Sequence, residues 1–217
     1  MLNILIIILA AILLPGLLFY ENKQNRKGMV PTKTVVSLLF VLAVLVQPHP
    51  ISRYYHFLLI GLICCLGGDI CLALPQKKMF LIGLFFFLLG QLSYIFGFFS
   101  VAQIGLLTWV GSLAVMAISA WIYALLRPHL GAMEVPVLVY IIIITVMISG
   151  AWTVLGDIDL IRSGRIMVFA GAFSFYFSDV FVARDRFMKR EFLNRLIGLP
   201  LYYFGQFLLA FSVGLLR

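Results

Sequence analysis

The chain has 217 residues, of which 64% are hydrophobic and only 11% are charged. Soluble domains are usually about 45–50% apolar and about 25% charged, so this composition excludes a soluble globular protein and predicts a polytopic membrane protein. The formal net charge of +8 does not require a nucleic-acid partner, because the basic residues cluster in short loops, where anionic lipid headgroups are the simpler partner. Since the polar stretches are too short for a soluble domain, we predict one integral membrane domain over residues 1–217.

A membrane-spanning helix needs about 20 mostly apolar residues. Eight segments meet this requirement and predict an all-α bundle of eight transmembrane helices, at about 2–20, 32–47, 53–74, 79–100, 104–126, 134–152, 165–183 and 196–216. The first segment lacks the basic start and the small-residue cleavage site of a signal peptide, so we interpret it as a retained helix. The connections are so short that consecutive helices must be adjacent and antiparallel.

Lysine and arginine are unevenly distributed between the loops. Twelve of the sixteen lie in the first, third, fifth and seventh loops, namely Lys23, Arg26, Lys27, Lys33, Lys77, Lys78, Arg127, Arg184, Arg186, Lys189, Arg190 and Arg195. Cytoplasmic loops carry the excess of basic residues, so these loops are predicted to be cytoplasmic. We therefore expect a multi-pass protein of the cell (inner) membrane with both termini extracytoplasmic.

Two aspartates lie inside segments that otherwise predict membrane helices. Asp69 follows Gly68 in the third segment, and Asp179 follows Ser178 in the seventh. An ionisable side chain in a membrane helix is costly unless it is paired, solvated or protonated, and it marks a functional site by default. At about 1.5 Å per residue, Asp69 lies about 9 Å from the cytoplasmic end of its segment, and Asp179 lies about 8 Å before Arg184. This matching depth predicts a pair that acts together in proton chemistry.

Other polar side chains converge on a similar level of the predicted bundle. They are Lys33, Tyr140, Tyr202 and Tyr203, with Gln91 and Gln206 nearer the midplane and Tyr94 deeper in the fourth segment. Tyrosines near helix ends also form interfacial belts, lysines also anchor helices at the cytoplasmic surface, and glutamines also bridge helices. The residue types alone therefore leave binding and structural roles open.

Cysteine and histidine indicate no metal site. Cys64, Cys65 and Cys71 lie in one apolar segment without metal-ligand spacing, and neighbours on one helix do not easily form a disulfide. The three histidines lie near segment ends and do not converge in the sequence. We predict no metal and no cofactor.

The two halves of the chain are weakly similar in sequence. Segments three and four contain Gly68-Asp69 and Gly90-Gln91, and segments seven and eight contain Ser178-Asp179 and Gly205-Gln206. A shift of four segments preserves the direction of each helix, so the similarity predicts a parallel 4+4 repeat, as in some transporters. Dipeptides alone carry little weight.

Five motifs follow one another along nearly the whole chain: Gly68-Asp69, Gly90-Gln91-x-x-Tyr94, Pro136-Val137-x-x-Tyr140, Gly171-Ala172-x-x-Phe175-x-x-Ser178-Asp179 and Tyr202-Tyr203-x-Gly205-Gln206. Together they resemble the YhhN-like lysoplasmalogenases, which are eight-helix membrane proteins of bacteria and animals. The resemblance implies hydrolysis of the vinyl-ether bond of lysoplasmalogens to a fatty aldehyde and a glycerophospho-ethanolamine or -choline, with Asp69 and Asp179 as the catalytic pair. This chain has Gln91 where many relatives are expected to carry a histidine. Because glutamine does not titrate, the resemblance implies positioning by a hydrogen bond there rather than a proton relay.

A vinyl ether is stable to base and labile to acid. Its slow step is protonation of carbon, which gives an oxocarbenium ion; water then adds, and the hemiacetal collapses to aldehyde and alcohol. The enzyme needs one protonated carboxyl and one carboxylate, as in glycoside hydrolysis, which passes through the same type of cation. General acid–base help is typically worth about 10²–10⁴-fold. The sequence leaves open which aspartate is the acid.

Eight residues are predicted to contact the lysophospholipid substrate: Lys33, Gln91, Tyr94, Tyr140, Ser178, Tyr202, Tyr203 and Gln206. Its alkenyl chain is expected among the phenylalanines at 85–87 and 96–99, and its phosphate near Lys33 or Arg184 at the basic surface. Membrane lipids are the other expected partner. The sequence leaves the oligomeric state open.

Three other functions would use the same features. A proton-coupled transporter of lipids or small molecules would use the membrane aspartates and the repeat. An intramembrane aspartyl protease ranks low, because Leu66-Gly67-Gly68-Asp69 misses the Gly-x-Gly-Asp pattern and Ser178 stands where tyrosine is expected. In a non-catalytic scaffold, the aspartates would bond tyrosine or glutamine across helices.

Overall fold

A computed structural model describes the backbone of residues 1–217 and the side chains of all of them except Lys77, one of the basic loop residues counted above. The helices are α1 Leu2–Asn22, α2 Arg26–Leu45, α3 Ser52–Ala73, α4 Lys77–Phe99, α5 Leu106–Leu126, α6 Glu134–Gly156, α7 Arg162–Ala183 and α8 Phe192–Ser212. Two 3₁₀ turns, Arg127–His129 and Gly131–Met133, precede α6, and a π-helical turn, Arg184–Met188, extends α7. The prediction of an all-α bundle of eight helices is confirmed.

Seven of the helices, α1 to α7, are long and apolar enough to cross a membrane. Helix α8 has a similar length, but polar residues interrupt its apolar sequence, namely Asn194, Arg195 and Gln206 along with two tyrosines. Of these, Asn194 and Gln206 are buried against the rest of the bundle. The chain is a multi-pass helical membrane protein in which these two polar side chains of α8 are shielded by neighbouring helices.

Several helices begin or end outside the predicted segments. Helix α2 begins at Arg26 rather than 32, because the Asn25 side chain accepts a hydrogen bond from the Gly28 amide at 3.4 Å and caps the helix ahead of its internal proline. Helix α8 is displaced towards the N-terminus, to Phe192–Ser212. The residues after it form turns, and the Ile161 amide donates to the Arg217 carbonyl oxygen at 3.2 Å. Hydropathy finds the apolar part of each helix but not its polar ends.

Small residues bring α3 close to α4 and α7 close to α8 in the same way. A methyl group on Gly90 would lie 3.0 Å from the carbonyl oxygen of Gly61, and one on Gly205 would lie 2.7 Å from that of Gly171. Such close contact between helix backbones is the usual function of small residues in membrane helices. In each half, a glutamine directly follows the second glycine, and an aspartate lies eight residues after the first. The packing thus supports the predicted 4+4 repeat and gives the two aspartates equivalent places.

Candidate active site

A cavity of about 880 Å³ enters the bundle from the end that carries the basic loops. Its mouth is lined by residues in or next to the connections from α1 to α2, α3 to α4 and α7 to α8, including Arg26, Pro75 and Arg190. Its interior is lined by side chains from α2, α3, α4, α5, α6, α7 and α8, among them both Asp69 and Asp179. Small-molecule sites usually measure about 300–1,000 Å³. The cavity therefore has room for a ligand and brings the two predicted aspartates together.

Asp69 is buried and held in place by a cation and two hydroxyls. The Lys33 Nζ lies 3.3 Å from its Oδ1 atom. The hydroxyls of Ser37 and Tyr202 donate to its Oδ2 atom at 2.7 Å and 2.6 Å. A neighbouring cation and hydrogen bonds to the charged form both favour the carboxylate. These contacts oppose the effect of burial, which disfavours a charged side chain.

Asp179 has a different environment, although it lines the same cavity. The Tyr140 hydroxyl donates to its Oδ2 atom at 2.5 Å, and the Gln91 Nε2 atom approaches the same oxygen at 3.4 Å. None of the described cationic side chains forms an ion pair with it. Two carboxyls in one cavity, of which one is paired with a cation and the other is not, form an arrangement suited to acid–base chemistry.

The structure divides the predicted site residues into two groups. Six line the cavity, namely Lys33, Asp69, Tyr140, Ser178, Asp179 and Tyr202. The other four, Gln91, Tyr94, Tyr203 and Gln206, are buried behind the lining. The predicted residues therefore form a lining group and a supporting group.

Members of the supporting group hold the lining or one another by hydrogen bonds. Tyr203 shares a contact of 3.2 Å with the Ser37 hydroxyl and donates to the Lys33 carbonyl oxygen at 3.4 Å. Tyr94 donates to Gln206 Oε1 at 2.7 Å and so joins α4 to α8. These contacts favour positioning roles, rather than substrate contact, for the four buried residues.

Ser37 is a site residue that the sequence did not predict. Its hydroxyl contacts both Asp69 and the carbonyl oxygen of Lys33, one helical turn earlier. The spacing of four residues places Lys33 and Ser37 on one face of α2. This spacing is the only feature of the sequence that indicated Ser37.

Two polar atoms beside Asp179 have no hydrogen-bond partner among the described residues. They are the Oε1 atom of Gln91 and the Oγ atom of Ser178. Buried polar groups in native structures are nearly always hydrogen-bonded to protein or water. Ser178 is among the residues that line the cavity, but its unpaired hydroxyl oxygen is itself buried.

The expected surroundings of the lipid chain are only partly as predicted. Phe87 lines the cavity, but Phe85 and Phe96 are 58% and 59% exposed and belong to the outer surface that faces lipid. Three consecutive residues of a helix point in different directions, so a run of phenylalanines cannot line one wall.

Ion pairs join the helix ends around the mouth. Arg195 contacts Glu21 at 2.7 Å and Asp185 at 3.0 Å, and thereby ties α1 and the π-helical turn to α8. Glu191 contacts Lys189 at 2.6 Å and Arg184 at 3.3 Å. The hydrogen bond from Lys189 holds the pKa of the Glu191 carboxyl below its usual range. Among the described residues, no three His, Cys, Asp or Glu side chains are grouped to hold a metal ion.

Comparisons with known proteins give relatives across most of the chain. The model of the YhhN family matches residues 29–213. Proteins named lysoplasmalogenase from Mycobacterium bovis (strain ATCC BAA-935 / AF2122/97) and Mycobacterium tuberculosis (strain CDC 1551 / Oshkosh) are each 28% identical over 188 residues, which cover 84% of this chain and 68% of theirs. No solved structure matches. Since the family model covers the helices that build the cavity and both of its aspartates, the chain belongs to the YhhN family.

Proposed function

We propose that the protein is a membrane hydrolase that cleaves the vinyl-ether bond of lysoplasmalogen to a fatty aldehyde and a glycerophospho-ethanolamine or -choline. The observation that carries the proposal is the cavity in which one aspartate is paired with a cation and a second is not. The name lysoplasmalogenase, borne by both mycobacterial relatives, supplies the substrate class. The two-carboxylate arrangement supplies the chemistry that an acid-labile ether needs.

Asp179 acts as the general acid in this proposal. Burial disfavours the charged form of a carboxyl that has no cation beside it, and Asp179 receives only the hydrogen bonds of Tyr140 and Gln91. Its proton goes to the vinyl carbon next to the one that bears oxygen, which leaves an oxocarbenium ion.

Asp69 acts as the carboxylate. Its ion pair with Lys33 keeps it negatively charged, so it stabilises the oxocarbenium ion and accepts a proton from the water that adds to it. The hemiacetal then collapses: Asp69 gives the proton that it took from water to the leaving glycerol oxygen, and Asp179 takes the proton of the hemiacetal hydroxyl as the aldehyde forms. The aldehyde and the glycerophospho-alcohol are released, and both carboxyls return to their starting states.

Aldehyde release by the purified protein in detergent, with lysoplasmalogen as substrate, tests the proposal. We expect Asp69→Asn and Asp179→Asn to lower kcat by at least about 10²-fold, the lower end of general acid–base contributions. Asp159→Asn is the matched control, because Asp159 is exposed in the loop between α6 and α7, at the other end of the bundle. We expect it to retain wild-type activity.

Full activity of both cavity variants would refute the roles given to the aspartates. A folded wild type that releases no aldehyde would overturn the hydrolase itself. Proton-dependent lipid flux in liposomes by that same protein would assign the aspartates to a transporter instead.

A further inference from the structure

The acidic side chains at the cavity mouth are already paired with basic side chains. Glu21 and Asp185 are both paired with Arg195, and their side chains are only 8% and 10% exposed. Glu191 is paired with Lys189 and Arg184. The mouth therefore presents no unpaired carboxylate, among the described residues, to an ammonium group of a ligand.

Three arginines on the same lining form no ion pair with any described side chain. They are Arg26 at the start of α2, Arg186 in the π-helical turn and Arg190 in the loop before α8. The Arg186 guanidinium rests on the ring of Phe80, 4.3 Å from its centre, and Phe80 also lines the cavity. This contact holds one guanidinium at the mouth without neutralising its charge.

The two cations expected from the sequence to meet a phosphate are otherwise engaged. Lys33 is buried and paired with Asp69. Arg184 is paired with Glu191 and does not line the cavity. The charge available to an anion thus lies on residues that the sequence did not single out.

We propose that Arg26, Arg186 and Arg190 form a phosphate site at the mouth, which recognises the phosphate of the lysophospholipid and not the amino alcohol attached to it. Guanidinium groups bind phosphate through paired, charge-assisted hydrogen bonds. The phosphate site rests on the proposed function, because it fixes the orientation of the proposed substrate in the cavity, with the phosphate at the mouth. Ethanolamine and choline headgroups are then accepted alike, and a headgroup without an amine is accepted as well.

The depth of the aspartates fits this direction. Asp69 and Asp179 each lie four residues before the last residue of their helix, which is about 6 Å at about 1.5 Å per residue. The three glycerol carbons separate the vinyl-ether oxygen from the phosphate ester oxygen in a lysoplasmalogen. A phosphate at the mouth therefore leaves the vinyl ether at the level of the carboxyls, with the alkenyl chain deeper among apolar side chains.

Kinetics with four substrates tests the phosphate site: alkenyl-lysolipids with ethanolamine, choline or glycerol headgroups, and 1-O-alkenylglycerol, which has no phosphate. We expect the wild type to have similar KM values for the first three and a higher KM for the last. Arg26→Gln and Arg186→Gln are each expected to raise KM about tenfold for the phosphate-bearing substrates, the loss of one charge-assisted hydrogen bond, and much less for the phosphate-free one. Lys27→Gln is the matched control, because Lys27 neighbours Arg26, is exposed and does not line the cavity.

Binding of a saturated 1-O-alkyl-lysophospholipid, which cannot be hydrolysed, separates the site from the reaction. If the wild type releases no aldehyde but binds this lipid in a manner that both arginine variants weaken, the phosphate site stands and the proposed function fails. If the wild type cleaves its substrate and the variants keep wild-type KM and affinity, the phosphate site is overturned.

Competition by inorganic phosphate at millimolar concentration identifies a site that takes free phosphate, whereas competition by lysolipid alone identifies a lipid headgroup site; either result supports the arginines. Selective loss of affinity for an ethanolamine or choline lipid relative to the glycerol lipid would refute recognition of phosphate alone.

Discussion

The ion pair between Lys33 and Asp69 predicts that two substitutions at these positions are strongly coupled. The side chains are 8% and 1% exposed, and the charged atoms lie 3.3 Å apart. In Lys33→Met, the Ser37 and Tyr202 hydroxyls still donate to the carboxylate, but its counter-charge is gone. Removing one partner of a buried ion pair typically costs about 3–5 kcal/mol. We expect Lys33→Met to lose this much of its free energy of unfolding.

Removing both charges is expected to leave the free energy of unfolding nearly unchanged. In Lys33→Met/Asp69→Asn, the asparagine oxygen still accepts hydrogen bonds and no uncompensated charge stays buried. Because neutral replacement of a buried pair is often harmless to stability, we expect the double variant to unfold within about 1 kcal/mol of the wild type. Its aldehyde release is still expected to be abolished, since the carboxylate is missing. Stability and activity are thereby separated in one protein.

Equilibrium unfolding by SDS in mixed micelles, followed by tryptophan fluorescence, measures this double-mutant cycle. Lys27→Met is the control, because Lys27 lies on the exposed side of the same helix, and surface substitutions usually stay within about 0.5 kcal/mol. The reasoning is refuted if Lys33→Met unfolds like the wild type, or if the losses of the two single variants simply add in the double variant.

Three further predictions concern the second aspartate, the helix packing and the topology. Tyr140→Phe removes a hydrogen bond of 2.5 Å to the proposed acid and is expected to lower kcat about tenfold, the effect of about 1.4 kcal/mol, with little change in KM; an unchanged kcat would contradict the positioning role. Gly205→Ala places a methyl group 2.7 Å from the Gly171 carbonyl oxygen and is expected to destabilise the protein by about 1–3 kcal/mol in SDS unfolding, as overpacking does. Gly16→Ala, which would meet nothing within 4 Å, should be neutral, and equal stability of the two variants would refute the close packing. A reporter fused after Arg217 is expected to be extracytoplasmic, and activity of a cytoplasmic reporter there would overturn the predicted orientation.

The helical architecture and the two aspartates were predictable from the sequence because both depend on local properties. The free energy of transferring a segment into a bilayer is set by its own side chains, which is why the eight apolar stretches correspond to eight helices. The cost of a charge in such a stretch is equally local, and it singled out Asp69 and Asp179 without knowledge of their neighbours. The sequence also shows the same spacing of eight residues from Gly61 to Asp69 and from Gly171 to Asp179. The matching helix contacts of the two glycines are what support a structural repeat.

The pairing of side chains was decided by the tertiary structure alone. Tyr202 donates to an aspartate 133 residues away, and no local pattern encodes which helices meet. Lys33 was expected to bind a lipid phosphate, but the packing of α2 against α3 pairs it with Asp69. Gln206 was expected to contact substrate, but it accepts a hydrogen bond from Tyr94. The sequence by itself determined which residues were costly to bury. The packing of the helices determined how that cost is offset, because electrostatic and hydrogen-bond energies depend on distances of a few ångströms between distant parts of the chain.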